Sequence, residues 1–262
     1  MERMQRSLAI GISVGLLLAA GCSATADATP RMTIELVGTR PHDPTAFTQG
    51  LEAHGDILYE STGLSGASSI RASRLTTGEQ VARADLPAPY FGEGITRADT
   101  TLWQLTWRDE VAIARDPATL AEQHRVHYDG EGWGLCTRAG RLVMSDGSDR
   151  LVFRDPLTFA PTGSVRLSSR NDARLNELEC ATDGSVYANV WPTDTILRLD
   201  PDSGRVLASI DASGLLPPTS RAGAGVLNGI AQVPGTDRFL ITGKNWPTIF
   251  EVRFVSSHVS IE

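Results

Sequence analysis

Lysine is all but missing from this chain: of 24 basic residues, 23 are arginine and Lys244 is the single lysine. Drift toward arginine accounts for the 23. It does not account for the exception, because a guanidinium cannot replace a compact amine that is able to lose its proton. Basic runs are missing too, and the formal net charge is −7, which argues against nucleic acid as a partner. There is no Gly-x-Ser-x-Gly elbow and no cysteine with a histidine near it, so no enzyme nucleophile is visible. The five histidines (42, 54, 124, 127 and 258) show no zinc spacing beyond His124-x-x-His127, which reads as a surface pair in an outer strand or turn. Beyond the N-terminus no apolar run approaches the roughly 20 residues that a membrane span needs.

The N-terminus is of another kind. Glu2, Arg3 and Arg6 precede a largely apolar run of 13 residues from Leu8 to Ala20, which ends in Gly21-Cys22. A charged start, a short apolar core and a small-residue exit read as an export signal over residues 1–21. Ala19-Ala20-Gly21-Cys22 resembles a bacterial lipobox with alanine in place of the usual leucine. Cys22 is therefore the expected lipidation site and the sole expected membrane attachment, ordinary signal cleavage nearby being the alternative. Residues 22–32 read as a tether, 33–255 as one domain and 256–262 as a tail. The exported part carries 22 basic and 30 acidic residues. It is expected in the cell envelope, the periplasm or outside the cell, as a monomer.

Five segments share a short strand pattern: Phe47–Leu51, Phe91–Ile95, Glu131–Leu135, Leu175–Glu179 and Val226–Ile230. Their fourth positions (Gly50, Gly94, Gly134, Leu178, Gly229) are spaced by 44, 40, 44 and 51 residues. A second strand follows each, centred on Tyr59, Trp103, Val143, Tyr187 and Leu240. Third and fourth strands follow, joined by turns such as Asp116-Pro-Ala-Thr119, Asp155-Pro-Leu-Thr158 and Asp200-Pro-Asp-Ser-Gly204, where Pro sets φ and Asp caps. Four short strands at a period of about 40–45 residues predict an all-β, five-bladed β-propeller. The fifth unit is one strand short, and Thr33–Thr39 is expected to complete it, closing the ring and leaving no open sheet edge.

The repeat makes positions comparable between units. One residue before the shared position stand Gln49, Glu93, Trp133, Glu177 and Asn228. Four residues beyond the second-strand reference stand Gly63, Trp107, Gly147, Trp191 and Lys244. The start of one strand and the end of its antiparallel neighbour lie on the same face, so both rings are expected around one opening. Plain structural roles are open to the same residues: glycine for tight packing near the axis, tryptophan as filler. The two rings taken together have the composition of a small-molecule pocket. Cys136 and Cys180, each two residues past the shared position, are expected to form a disulfide if their Cα atoms approach within about 7 Å.

These segments resemble the plant- and bacterial-type glutaminyl-peptide cyclotransferases, which are built on a five-bladed propeller. The resemblance runs from Pro41 to about Phe254. It is carried by Phe-Thr-Gln-Gly-Leu-Glu (47–52), Glu-Ser-Thr-Gly (60–63), Phe-Gly-Glu-Gly (91–94), Leu-Thr-Trp (105–107), Gly-Trp-Gly-Leu (132–135), Ser-Asp-Gly (145–147), Leu-Asn-Glu-Leu-Glu (175–179), Ala-Asn-Val-Trp (188–191), Val-Leu-Asn-Gly-Ile-Ala (226–231) and Thr-Gly-Lys-x-Trp-Pro (242–247). It implies conversion of the N-terminal glutamine of peptides and proteins to pyroglutamate, with loss of ammonia and no catalytic metal or other cofactor. It also implies that Glu93, Asn176 and Lys244 carry the polar chemistry, and that Phe47, Gln49, Phe91, Trp107, Trp133 and Trp191 line the pocket.

The residues fit that chemistry on their own terms. Cyclisation is intramolecular attack of the α-amine on the side-chain amide carbon. The amine, with a pKa of about 7.7–8.0, must lose a proton, and the leaving nitrogen must gain one. Glu93 is the expected carrier, with Lys244 and Asn176 donating to the oxyanion. Glu177 and Glu179 are weaker candidates, with hydrogen bonding to strand backbone as their alternative. Two other readings stand: a Ca²⁺-dependent lactonase-like hydrolase with Glu93, Asn176, Glu177 and Asn228 around the ion, and a non-catalytic propeller that binds a partner.

Overall fold

The computed structural model describes residues 29–257 and Met1. Residues 2–21 of the export signal, Cys22, residues 23–28 of the tether and 258–262 of the tail lie outside the described residues. Among the described residues, twenty strands and one short 3-10 turn (Pro218–Ser220) make an all-β fold. Strand β1 (Arg31–Pro41) comes first. Three antiparallel four-stranded sheets follow in chain order: β2 to β5 (Thr48–His54, Ile57–Thr62, Ser69–Arg74, Gln80–Asp85), β6 to β9 (Gly92–Ala98, Thr101–Thr106, Val111–Arg115, Glu122–His127) and β10 to β13 (Leu135–Arg138, Arg141–Ser145, Arg150–Arg154, Pro161–Arg166). The rest, β14 to β17 (Leu175–Cys180, Val186–Val190, Thr195–Leu199, Val206–Asp211) and β18 to β20 (Leu227–Gln232, Phe239–Gly243, Thr248–Ser256), join with β1 in one eight-stranded sheet.

β1 makes that join. It runs antiparallel to β20 from Met32↔Ser256 to Pro41↔Thr248, and parallel to β17 over Arg31–Thr33. Arg31 and Met32, assigned to the tether on sequence, are strand residues. The innermost strands β2, β6, β10, β14 and β18 each contact the next, and β18 contacts β2. Apolar clusters fill the space between successive units, including last and first, where Leu51 and Leu58 pack with Ala231, Leu240 and Ile249. Each fully buried aliphatic side chain of this kind contributes about 1.5–3 kcal/mol. The turns form for the reason read from sequence: Asp116 Oδ1 accepts from the Ala118 and Thr119 N–H groups, and Asp155 Oδ1 accepts from those of Leu157 and Thr158.

Strand pairing corrects the alignment of the fourth unit by one residue. The partners of Tyr59, Trp103, Val143, Tyr187 and Leu240 are Glu52, Thr96, Cys136, Glu179 and Ala231. Two residues earlier in each case stand Gly50, Gly94, Gly134, Glu177 and Gly229, so Glu177, not Leu178, matches the glycines. The connection from Glu179 to Tyr187 is one residue longer than its counterparts in the first three units, and hydrogen-bond register follows the backbone, not the resemblance of side chains. Asn176 thereby becomes the counterpart of Gln49, Glu93, Trp133 and Asn228. Cys136 and Cys180 are not equivalent positions, yet they are joined by a disulfide with Cα atoms 5.4 Å apart.

That disulfide closes a loop across 44 residues. Replacing both cysteines (Cys136→Ser with Cys180→Ser) is expected to destabilise the fold by about 2–4 kcal/mol. The change is read as a lower urea midpoint, with a steeper slope because the unbridged denatured chain exposes more surface. An unchanged midpoint would mean the bridge does not hold the folded state.

Candidate active site

The corrected register explains how the pocket forms. Each of β2, β6, β14 and β18 carries a β-bulge near its start, at Thr48/Gly50, Gly92/Ile95, Leu175/Leu178 and Leu227/Ile230. A bulge re-aims the side chains it contains. Those at Gln49, Glu93 and Asn176 line a cavity of about 440 Å³, together with Phe47, Phe91, Trp107, Arg108, Trp133, Arg174, Trp191 and Lys244. All nine residues expected of the pocket are therefore in one place. A larger cleft of about 1010 Å³ lies elsewhere among Asp183, Arg198, Asp237 and Arg253, where those charges already pair with one another.

The walls are aromatic. Phe47 meets Phe91 edge-on at 6.1 Å, Phe91 meets Trp107 at 5.5 Å, and Trp133 meets Trp191 edge-on at 6.1 Å. Two glycines of the second ring make room for them. A Cβ on Gly63 would lie 2.3 Å from the Phe91 ring, and one on Gly147 2.5 Å from the Trp133 indole.

The polar floor is buried: Gln49 is 3%, Glu93 4%, Asn176 1% and Lys244 7% exposed. Asn228 donates from Nδ2 to Gln49 Oε1 at 3.1 Å, and Gln49 donates from Nε2 to Glu93 Oε1 at 2.8 Å. Glu93 Oε2 and Asn176 Oδ1 have no hydrogen-bond partner among the described residues. Burial pushes the Glu93 carboxyl well above the ordinary carboxylate range; the Lys244 charge opposes this and the Glu131 charge adds to it. Burial likewise lowers the Lys244 amine, against the pull of Glu93. The two groups influence each other without forming a contact ion pair. Lys244 Nζ sits 4.8 Å from the centre of the Phe47 ring.

Glu177 and Glu179 do not line this cavity. Glu177 accepts from the Leu51 and Ile230 N–H groups at 3.2 and 2.8 Å, its backbone-bound alternative. Asn228 also lies beneath, donating to Thr48 O. Of the four residues suggested for a Ca²⁺ ring, only Glu93 and Asn176 face the space. His124 and His127 are exposed on β9. Sequence reasoning missed Arg108 and Arg174, which lie over Trp107 at 3.8 Å and Trp191 at 4.2 Å. Each directly adjoins a quoted motif, the one signal that pointed to them.

An acid, an amide and an amine converge on an aromatic cavity in an all-β frame, the layout of a small-molecule pocket. The chain belongs to the glutamine cyclotransferase family, whose model matches residues 9–254. It is 40% identical over 227 residues to a glutaminyl-peptide cyclotransferase of Arabidopsis thaliana, covering 84% of this chain and 71% of the relative. The crystal structure of Myxococcus xanthus glutaminyl cyclase superposes with a TM-score of 0.80 at 37% identity, covering 88% of this chain and all of that one.

Gly147 gives a direct test of the wall. It has φ +75° and abuts Trp133, so Gly147→Ala is expected to push the indole aside at a cost of about 1–3 kcal/mol. Urea unfolding and tryptophan emission should both change; an unchanged emission maximum would show the contact to be unimportant.

Proposed function

We propose that this chain converts the N-terminal glutamine of peptides and proteins to pyroglutamate and ammonia, on a five-bladed β-propeller whose last blade is completed by β1. Support for the ring comes from the cyclic contacts of the five innermost strands and from the apolar cluster between last and first units. On sequence alone, residues 1–21 are read as an export signal and Cys22 as a lipidation site.

The observation that carries the activity is the pair of partnerless buried acceptors, Glu93 Oε2 and Asn176 Oδ1, in a cavity otherwise walled by aromatic rings. Buried acceptors without partners are costly, and a terminal glutamine brings the donors they lack: its α-amine and its amide N–H groups. Glu93 Oε2 takes a proton from the α-amine as its nitrogen attacks the side-chain amide carbon. Lys244 and the Asn176 amide donate to the oxygen that becomes negative. Glu93 then returns the proton to the leaving nitrogen as the C–N bond breaks, and ammonia departs. A carboxyl lifted by burial well above the ordinary carboxylate range is a stronger base for the first transfer and holds the proton until the second. The aromatic wall excludes water and holds the flexible side chain folded onto its own amine, where orientation alone can supply several of the roughly 7–11 kcal/mol available from proximity.

Ammonia release from a glutamine-initiated peptide tests this. Glu93→Gln is expected to lower kcat by about 10²–10⁴-fold and Lys244→Met by about 10²–10³-fold. Full activity in both variants would sink the mechanism. No activity in the wild type would sink the assignment, and abolition by EDTA would favour the metal-dependent alternative.

The pH dependence has a definite sign. As a base Glu93 must be ionised, so kcat, which is free of the unbound substrate's own amine titration, should fall as pH drops through its raised pKa, at a higher pH than the value of about 4.3 for a free glutamate would give. An acid limb at the free-glutamate position would contradict a buried base.

A further inference from the structure

One carboxylate behind the pocket wall has no part in the proton transfers above. Glu131 lies between β9 and β10, two residues before Trp133. Its Oε2 accepts from both Trp107 Nε1 and Trp133 Nε1, each at 2.9 Å. Its Oε1 accepts from Arg108 Nε at 2.9 Å, and that guanidinium lies 3.8 Å over the Trp107 ring. A single side chain thus fastens walls contributed by two successive units. Trp107 follows the end of β7 and touches Phe91, whereas Trp133 precedes β10 and touches Trp191. Only an ionised carboxylate can accept from all three donors without presenting one of its own.

We propose that Glu131 is a positioning residue of the cyclisation, fixing the Trp107 and Trp133 indoles at the angles that fold a glutamine side chain onto its amine. The substrate in this statement rests on the cyclase reading; the clamp on the two indoles does not. Without the acceptor, each indole N–H loses its partner and its ring is free to turn. A wall displaced by about 1 Å forfeits on the order of a hundredfold in rate. The charge has a second effect. Glu131 holds up the proton affinity of Glu93, in the direction of burial and against Lys244. Tyr128 is the other titratable group that feels Glu93, and Arg108 is the cation that faces Glu131 itself.

The test uses Glu131→Leu and Glu131→Gln in the full-length enzyme, read by ammonia release, pH profile and tryptophan emission. Glu131→Leu should lower kcat/KM about 10–100-fold, mainly in kcat, shift the emission maximum, and move the acid limb to lower pH. Glu131→Gln keeps an oxygen for the indoles but turns an N–H₂ toward Arg108. It should recover most of kcat and the native emission while keeping the shifted acid limb. If Glu131→Leu fails to fold, the glutamine variant alone decides, since split recovery of kcat and limb is not expected of a merely structural residue. In a Trp107→Phe/Trp133→Phe background the leucine substitution should cost little more than about threefold, because the groups it holds are gone. Wild-type kcat/KM and emission in Glu131→Leu would overturn the proposal, as would an equal loss in both backgrounds. A wild type inactive on glutamine peptides would overturn the cyclase reading instead, with the emission shift still reporting the clamp.

Discussion

The Glu93 carboxylate is buried with one oxygen on the Gln49 amide and the other free of any donor among the described residues, and much of the pocket is arranged to keep it so. Two neutral amides, Gln49 and Asn228, fix its direction in series without neutralising it. The nearest cation acts through space. Were Lys244 to close onto Glu93, the two would form a buried ion pair, satisfied and costly to separate, and substrate would have to break it. Kept apart, each charge is destabilised by burial and each is available to a third party.

Backbone irregularity positions these groups. Gln49, Glu93, Asn176 and Asn228 all lie where an innermost strand bulges. A regular strand would alternate its side chains between the faces of its sheet; the bulge turns one of them out of that alternation. Three of the four reach the cavity and the fourth braces one of them. The glycines of the second ring complete the arrangement from the other side, because space left at Gly63 and Gly147 is occupied by Phe91 and Trp133 from the segments leading into β6 and β10. The reaction asks for no more than this. Its nucleophile and electrophile belong to one residue of the substrate, so the protein has to orient, desolvate and move a proton.

Much of this was legible in the sequence, and the reasons are specific. Strand spacing repeats because each unit is the same sheet, and Lys244 stood out because no other lysine exists. Glu93, Trp107 and Trp191 were visible as departures from the repeat. The fourth unit misled because Leu178 keeps the same distance from Tyr187 that the glycines of the first three units keep from Tyr59, Trp103 and Val143, while one extra residue in the following turn had moved the true counterpart to Glu177. No single segment reveals such a shift; it resides in the hydrogen bonds between two strands. Arg108, Arg174 and Glu131 escaped for a related reason. Their significance depends on indoles whose orientation only the folded chain specifies, and charged residues beside a motif look like ordinary surface until the rings they touch are placed.

β1 carries a consequence for how the molecule comes into being. Its longest partner is β20, so residues near position 35 pair with residues near 253. Nearly all of the described chain lies between these two strands. The first described strand keeps its backbone hydrogen bonds to water until its partners β17 and β20, both far along the chain, are in place. Loop closure over so long a stretch is slow. The sheets of the first three units are local in sequence and need no such closure, whereas the seal made by β1 depends on it. Until it forms, the strands beside the gap offer open edges to any extended chain nearby.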